Sequence, residues 1–121
     1  MTKILIVDDS PTQLHSLRSM VESAGHEAVT AESGERAIEL ASHENPCVIL
    51  MDIIMPGMNG FQATRTLCKT EATSKIPVIM VTSKTDETDR IWGMRQGAKN
   101  YLTKPVKKQT LLTAIDEAMA A

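Results

Sequence analysis

Apolar and polar positions along the chain alternate between two periods. Five short apolar runs are separated by longer segments whose apolar residues recur every three or four positions. The runs are Lys3-Ile4-Leu5-Ile6-Val7, His26 to Ala31 (which is of mixed polarity), Val48-Ile49-Leu50-Met51, Val78-Ile79-Met80-Val81 and Tyr101-Leu102-Thr103. Short β-branched runs predict strands, and the intervening pattern predicts helices. Ser10-Pro11 reads as an N-cap and first helical residue, followed by Leu14, Leu17 and Val21 at helical spacing, with Gly25 as the stop. Ser33-Gly34 opens a second helix with Ala37, Ile38 and Ala41 inward, and Asn45-Pro46 ends it. Pro56-Gly57-Met58-Asn59-Gly60 is a turn and a helix start, with Phe61, Thr64, Leu67 and Cys68 as the expected inner face. A fourth helix is predicted from Asp86 to Gln96, with Gly97 as its stop. A fifth carries Leu111, Leu112, Ile115, Ala118 and Met119 on one face.

Five strand–helix units of this length cannot be hairpins. Right-handed crossovers wind them into an α/β, flavodoxin-like, doubly wound five-stranded parallel sheet with five helices. The third strand is apolar throughout, as befits a strand covered on both faces, whereas the second and fifth are weaker and suit the edges. That favours the order 2-1-3-4-5, which puts a crevice between strands one and three.

Chemistry-bearing residues stand where the apolar runs stop: Asp8 and Asp9 after the first, Asp52 after the third, Thr82 after the fourth, Lys104 after the fifth. In an open parallel sheet the carboxyl ends of the strands share one edge, where ligands bind. Three carboxylates, a hydroxyl and an ammonium are therefore expected in one pocket. Packed carboxylates repel one another, and a divalent cation is the simplest remedy. Magnesium takes oxygen ligands, commonly one or two carboxylates with phosphate oxygens. No His or Cys joins these acids, which argues against zinc. Asp52 is the best nucleophile, able to form an aspartyl phosphate. Lys104 would place a compact positive charge on a phosphoryl oxygen, and Thr82 would donate a hydrogen bond to another. Singly, each has a plainer reading: an Asp after a strand is often a turn residue, and Thr82 a β-branched strand end. Their joint occurrence carries the inference.

Composition narrows the possibilities. The chain has 121 residues, 42% apolar and 23% charged, which fits one globular domain over residues 1–121, without an output domain. A net charge of −2 provides no basic field for nucleic acid, and no apolar run is long enough for membrane insertion. Cys47 and Cys68 match no metal-ligand spacing and are expected as reduced thiols in or near the core, with a cytoplasmic location as the default. Eight Met against three aromatics read as adaptable core fillers. His15, His26 and His43 share no ligand spacing, and no Gly-x-Gly-x-x-Gly follows the first strand, which disfavours a dinucleotide site.

The segments Ile4–Ser10, Met51–Gly60, Val81–Ser83 and Tyr101–Pro105 resemble the receiver domain of bacterial two-component response regulators, the CheY-like family, and the resemblance spans essentially the whole chain. It implies that Asp8 and Asp9 are an acid pair for magnesium, Asp9 the firmer ligand, joined by Asp52 and the backbone carbonyl of Ile54. It implies Asp52 as phosphoacceptor, Thr82 and Tyr101 as a switch pair, and a cis bond before Pro105. Ile54 and Lys84 border the site in the family pattern. The phosphoryl group would come from a sensor histidine kinase or phosphotransfer domain. The output would be binding of a downstream protein target through helix four, strand five and helix five, by a monomer or weak dimer. Trp92, Tyr101 and Lys108 are the expected partner contacts on that face. For Trp92, ordinary core packing and an exposed anchor are equally open. Gly60–Arg65 and Glu87–Ala98 further resemble the stand-alone PilH-type regulators of type IV pilus twitching motility. The rival reading is a small magnesium phosphohydrolase that passes through the same aspartyl phosphate. Against it, Asp8-Asp9-Ser10 is not the spaced acid pair of the haloacid-dehalogenase phosphatases, and the chain leaves no room for a substrate cap.

Overall fold

The computed structural model describes residues 2–121. Strands and helices alternate as β1 (Lys3–Val7), α1 (Pro11–Ser23), β2 (Glu27–Ala31), α2 (Gly34–Glu44), β3 (Val48–Met51), α3 (Gly60–Lys69), β4 (Val78–Thr82), α4 (Glu87–Gln96), β5 (Asn100–Thr103) and α5 (Lys108–Ala120). All neighbouring strands pair in parallel, in the order β2-β1-β3-β4-β5. This is the sheet the pattern predicts, with the two weak strands at its edges.

Alternation along each strand divides the core between two faces. Ile4, Ile6, Val48, Leu50, Ile79 and Val81 pack against Leu14, Leu17 and Val21 of α1 and Leu111, Ala114 and Ile115 of α5. Leu5, Val7, Ile49, Met51 and Val78 pack against Ala37 and Ala41 of α2 and Ala63 and Leu67 of α3. A smaller cluster of Ile53, Met80 and Ala98, with Phe61 and Tyr101 packed against it, completes the second face. Each fully buried aliphatic side chain contributes roughly 1.5–3 kcal/mol relative to exposure.

Helix ends follow local chemistry. The Ser10 hydroxyl accepts from the Gln13 amide, and Pro11 occupies the first turn of α1. Asn45 terminates α2 in the left-handed region, at φ 48°, and Gly97 does the same for α4 at φ 116°. Asn59 and Gln62 form a reciprocal capping box at the start of α3.

The expected inner faces of α3 and α5 do pack on the core, but the deepest burial falls partly on smaller residues. On α3, Phe61 and Cys68 are half-buried while Ala63 is fully buried; on α5, Leu112, Ala118 and Met119 are half-buried while Ala114 is buried. Cys47, expected in or near the core, is exposed at the mouth of β3, and Cys68 is half-buried.

Candidate functional site

The sheet's hydrogen-bond ladder runs one residue past three strand ends, and that extension aims the site. The Asp8 amide donates to the Ala31 carbonyl at 3.1 Å, the Asp52 amide to the Val7 carbonyl at 3.0 Å, and the Lys104 amide to the Thr82 carbonyl at 2.8 Å. Each residue is thus held by its neighbouring strand while its side chain leaves the pleat. Gly60 closes the loop beyond Asp52. Its amide donates to the Ile53 carbonyl at 2.9 Å, and a Cβ there would lie 2.1 Å from the Asp52 carbonyl oxygen. Only glycine permits that approach.

Carboxylate oxygens of Asp8, Asp9 and Asp52 lie within 4.8 Å of one another. Asp8 and Asp52 are buried and Asp9 is exposed. Asp8 is fully engaged: Oδ1 accepts from the Ser10 amide at 2.9 Å and Oδ2 from Lys104 Nζ at 2.5 Å. Lys104 Nζ is also 3.5 Å from Asp52 Oδ2, while Asp52 Oδ1 accepts from the Ile53 amide at 2.8 Å. Among the described residues Asp9 has no ion-pair or hydrogen-bond partner, so its carboxylate is exposed and uncommitted.

Burial pushes the Asp52 carboxyl above its ordinary range. Lys104 opposes that rise, Asp8 adds to it, and the Ile53 amide and Thr82 hydroxyl pull it down by lesser amounts. One ammonium against three carboxylates leaves the cluster short of positive charge. The donor set is all oxygen, partly buried and converging, which is the chemistry of a hard divalent cation. The residues present fit magnesium.

Thr82, fully buried, accepts the Lys84 amide at 3.3 Å on its hydroxyl oxygen, which leaves its own proton to donate. The Lys84 carbonyl in turn accepts from the Tyr101 hydroxyl at 2.8 Å. One residue's backbone therefore joins the two side chains expected as a switch pair. The Lys104–Pro105 bond is cis, as the resemblance implies.

Residues 4–116 match the model of the response regulator receiver domain. The chain belongs to that family. This receiver domain is 57% identical over 120 residues to protein PilH of Pseudomonas aeruginosa, covering 99% of each chain. It superposes on the chemotaxis protein CheY4 of Vibrio cholerae with a TM-score of 0.91 at 30% identity, covering 98% of each chain. It also superposes on the response regulator domain of Thermotoga maritima CheB with a TM-score of 0.90 at 34% identity, covering 100% of this chain and 98% of that one. It is a response regulator of two-component signalling, CheY-like in fold and similar to PilH. Receiver domains bind magnesium at an acidic cluster, and Asp8, Asp9 and Asp52 form such a group here.

Away from the acids, the receiver presents an apolar face on α4. Trp92 is 49% exposed, flanked by exposed Ile91 and Met94, so the core-packing alternative for Trp92 is excluded. Tyr101 is half-buried and Lys108 exposed. Ile54 is 55% exposed beside Asp52. Two residues that shape the site went unnoticed in the sequence pattern. Gly60 reads there only as a turn glycine, although an Asn-Gly pair shortly after a strand-end acid is a usable signal. Met80 is one more apolar residue in a strand, and nothing in the chain marks it as the link between Ile53 and Tyr101. No helix among the described residues is long and apolar enough to cross a membrane.

Proposed function

We propose that Asp52 is the phosphoacceptor of a signalling switch and that Asp8, Asp9 and Asp52, with the Ile54 carbonyl, hold the magnesium ion. The observation that carries this reading is Asp52 itself: a buried carboxylate 3.5 Å from Lys104 at the shared edge of the sheet, with two further acids beside it. An oxygen of Asp52 attacks the phosphorus of a kinase or phosphotransfer phosphohistidine. The new acyl-phosphate bond forms as the phosphorus–nitrogen bond breaks, and the bonding pair returns to the imidazole. When bound, the ion supplies positive charge to the phosphoryl oxygens and the acids. Lys104 turns from Asp8 and Asp52 to one phosphoryl oxygen, and the Thr82 hydroxyl donates to another. Attack by water on phosphorus later restores the carboxylate and releases phosphate. The protein's catalysis is confined to these two steps on itself.

Movement of Thr82 toward the phosphoryl group draws on the Lys84 amide, and the Lys84 carbonyl holds the Tyr101 hydroxyl. Tyr101 then packs inward, and α4, β5 and α5 present Trp92, Tyr101 and Lys108 to a protein target. PilH, matched over 99% of its own length, supports the reading of residues 1–121 as a single receiver domain. The pathway is type IV pilus twitching or a related chemotaxis-like system, in the cytoplasm, with the protein a monomer or weak dimer.

Incubation with magnesium and acetyl phosphate is expected to add one phosphoryl group per chain, read by intact mass, and Asp52→Asn to abolish it. Wild-type incorporation by that variant would refute the assignment. Sustained turnover of a phosphate ester would favour the phosphohydrolase instead; membership of the receiver family argues for the switch.

A further inference from the structure

Gly93 lies in the middle of α4, where glycine disfavours the helix relative to alanine. It is buried, and a Cβ at this position would stand 2.7 Å from the Met80 sulfur, 3.6 Å from its Cε and 3.4 Å from Cδ2 of Tyr101. The first distance is far inside van der Waals contact. Met80 is the end of a flexible side chain, but it is wholly enclosed, sharing its cluster with Ile53 and Ala98 and with the rings of Phe61 and Tyr101. In a close-packed interior the thioether has little space to retreat into. Ile53 follows Asp52 directly and donates its amide to that carboxylate at 2.8 Å. Tyr101 is only half-buried, and its hydroxyl reaches the Lys84 carbonyl in the loop that opens α4. The Lys84 ammonium pairs at 3.7 Å with Asp89 in the first turn of the same helix. The phenol ring is thus clasped between the Gly93 backbone and the loop leading into α4.

We propose that Gly93 is a positioning residue for the switch: its bare backbone is the seat under which Met80 and the Tyr101 ring pack, so the inward Tyr101 arrangement requires that position 93 carry no side chain. The inference rests on the reading of Tyr101 as the moving member of the pair. A methyl group at position 93 has three routes to relief. Met80 can shift, but it is fully buried in its cluster with Ile53 and Ala98. Helix α4 can lift, but that exposes the whole cluster. Tyr101 can swing out, and of the two side chains that the new methyl would meet it is the one that already borders solvent. Gly93→Ala therefore biases Tyr101 outward and weakens the path from Asp52 through Ile53 and Met80 to the α4 face. Because alanine also favours the helix, stability alone does not report this effect, and a readout at Tyr101 is needed.

The chain contains one Tyr, so 3-fluorotyrosine labelling of the full chain yields a single fluorine resonance. In the wild-type protein this resonance is expected away from that of free fluorotyrosine, and it should move further when magnesium and beryllofluoride mimic the phosphoryl group. Gly93→Ala should bring it most of the way to the free value and remove most of the beryllofluoride shift, while Asp52 still accepts a phosphoryl group to the wild-type extent. Adding Met80→Ala, which deletes the obstructing thioether, should restore both signals. A Gly93→Ala resonance identical to wild type, or one that Met80→Ala does not restore, overturns the proposal. If Gly93→Ala alone does not fold, the double variant decides: folding with a wild-type resonance supports the seat, and failure to fold refutes it. A wild-type protein with no beryllofluoride shift sinks the Tyr101 reading and this proposal together; a shift persisting in full in Gly93→Ala sinks this proposal alone.

Discussion

The phenol of Tyr101 is pushed up to about 12, first because it is partly withdrawn from water and then because Asp89, Asp86 and Asp52 face it with negative charge. The folded protein therefore holds this proton more tightly than the unfolded chain, whose tyrosine titrates near 10.0. By linkage, the associated stability is fully present below the unfolded value and is lost as pH rises through about 12. Tyr101→Phe removes the titration. The stability difference between wild type and Tyr101→Phe, from urea unfolding at a series of alkaline pH values, should shrink across that window; a constant difference would contradict the environment described. The same residue explains why part of the site was hidden in the sequence. A tyrosine on a short strand is legible as a candidate, but its bond to the Lys84 carbonyl, 17 positions away, depends on how the β4–α4 loop closes.

At the scale of elements, α3 shows how the loop after Asp52 is held. Asn59 accepts the Gln62 amide at 2.9 Å, and the Gln62 side chain accepts the Asn59 amide at 2.9 Å. Asn59→Ala should cost about 1 kcal/mol, the usual worth of a cap. Gly60→Ala should cost about 3 kcal/mol or more, because its new methyl meets the Asp52 backbone rather than a side chain that can yield. It should also slow phosphorylation of Asp52, whereas the cap variant should not. Urea unfolding and single-turnover phosphorylation check both, and the reverse ranking would refute the close approach. Caps and stops were readable from Ser10, Asn45 and Gly97 because each solves a local backbone problem, and Pro56–Gly60 was readable as a turn and helix start. The inner faces of α3 and α5 were less so. Hydropathy favours large side chains, yet a helix seated close to a sheet puts small residues such as Ala63 and Ala114 at the centre of contact and leaves Phe61 and Met119 at the margins.

Across the whole molecule, the strand order and the convergence of Asp8, Asp9, Asp52 and Lys104 were legible because they depend only on where apolar runs stop and on the polarity of a parallel sheet. Clustered acids with one ammonium are expected to make the molecule's stability sensitive to divalent cations. A ligand that binds only the folded state stabilises it by RT ln(1 + [L]/Kd), so above its Kd each tenfold rise in magnesium should add about 1.4 kcal/mol. Asp9→Asn, which removes the exposed carboxylate of the cluster, should reduce this dependence without unfolding the protein. Thermal or urea unfolding over a magnesium series measures it, and an unchanged response in Asp9→Asn would exclude that residue as a ligand.

Lys104 touches Asp8 across 96 positions of sequence, from the last strand to the first. During synthesis the acids leave the ribosome early and their ammonium partner late. On the proposed reading of Asp52 and Lys104, a growing chain would display the nucleophile long before it has the means to use it, and competence to receive a signal would arrive only when β5 docks. Timing of that kind would make phosphoryl acceptance a stringent assay of finished folding.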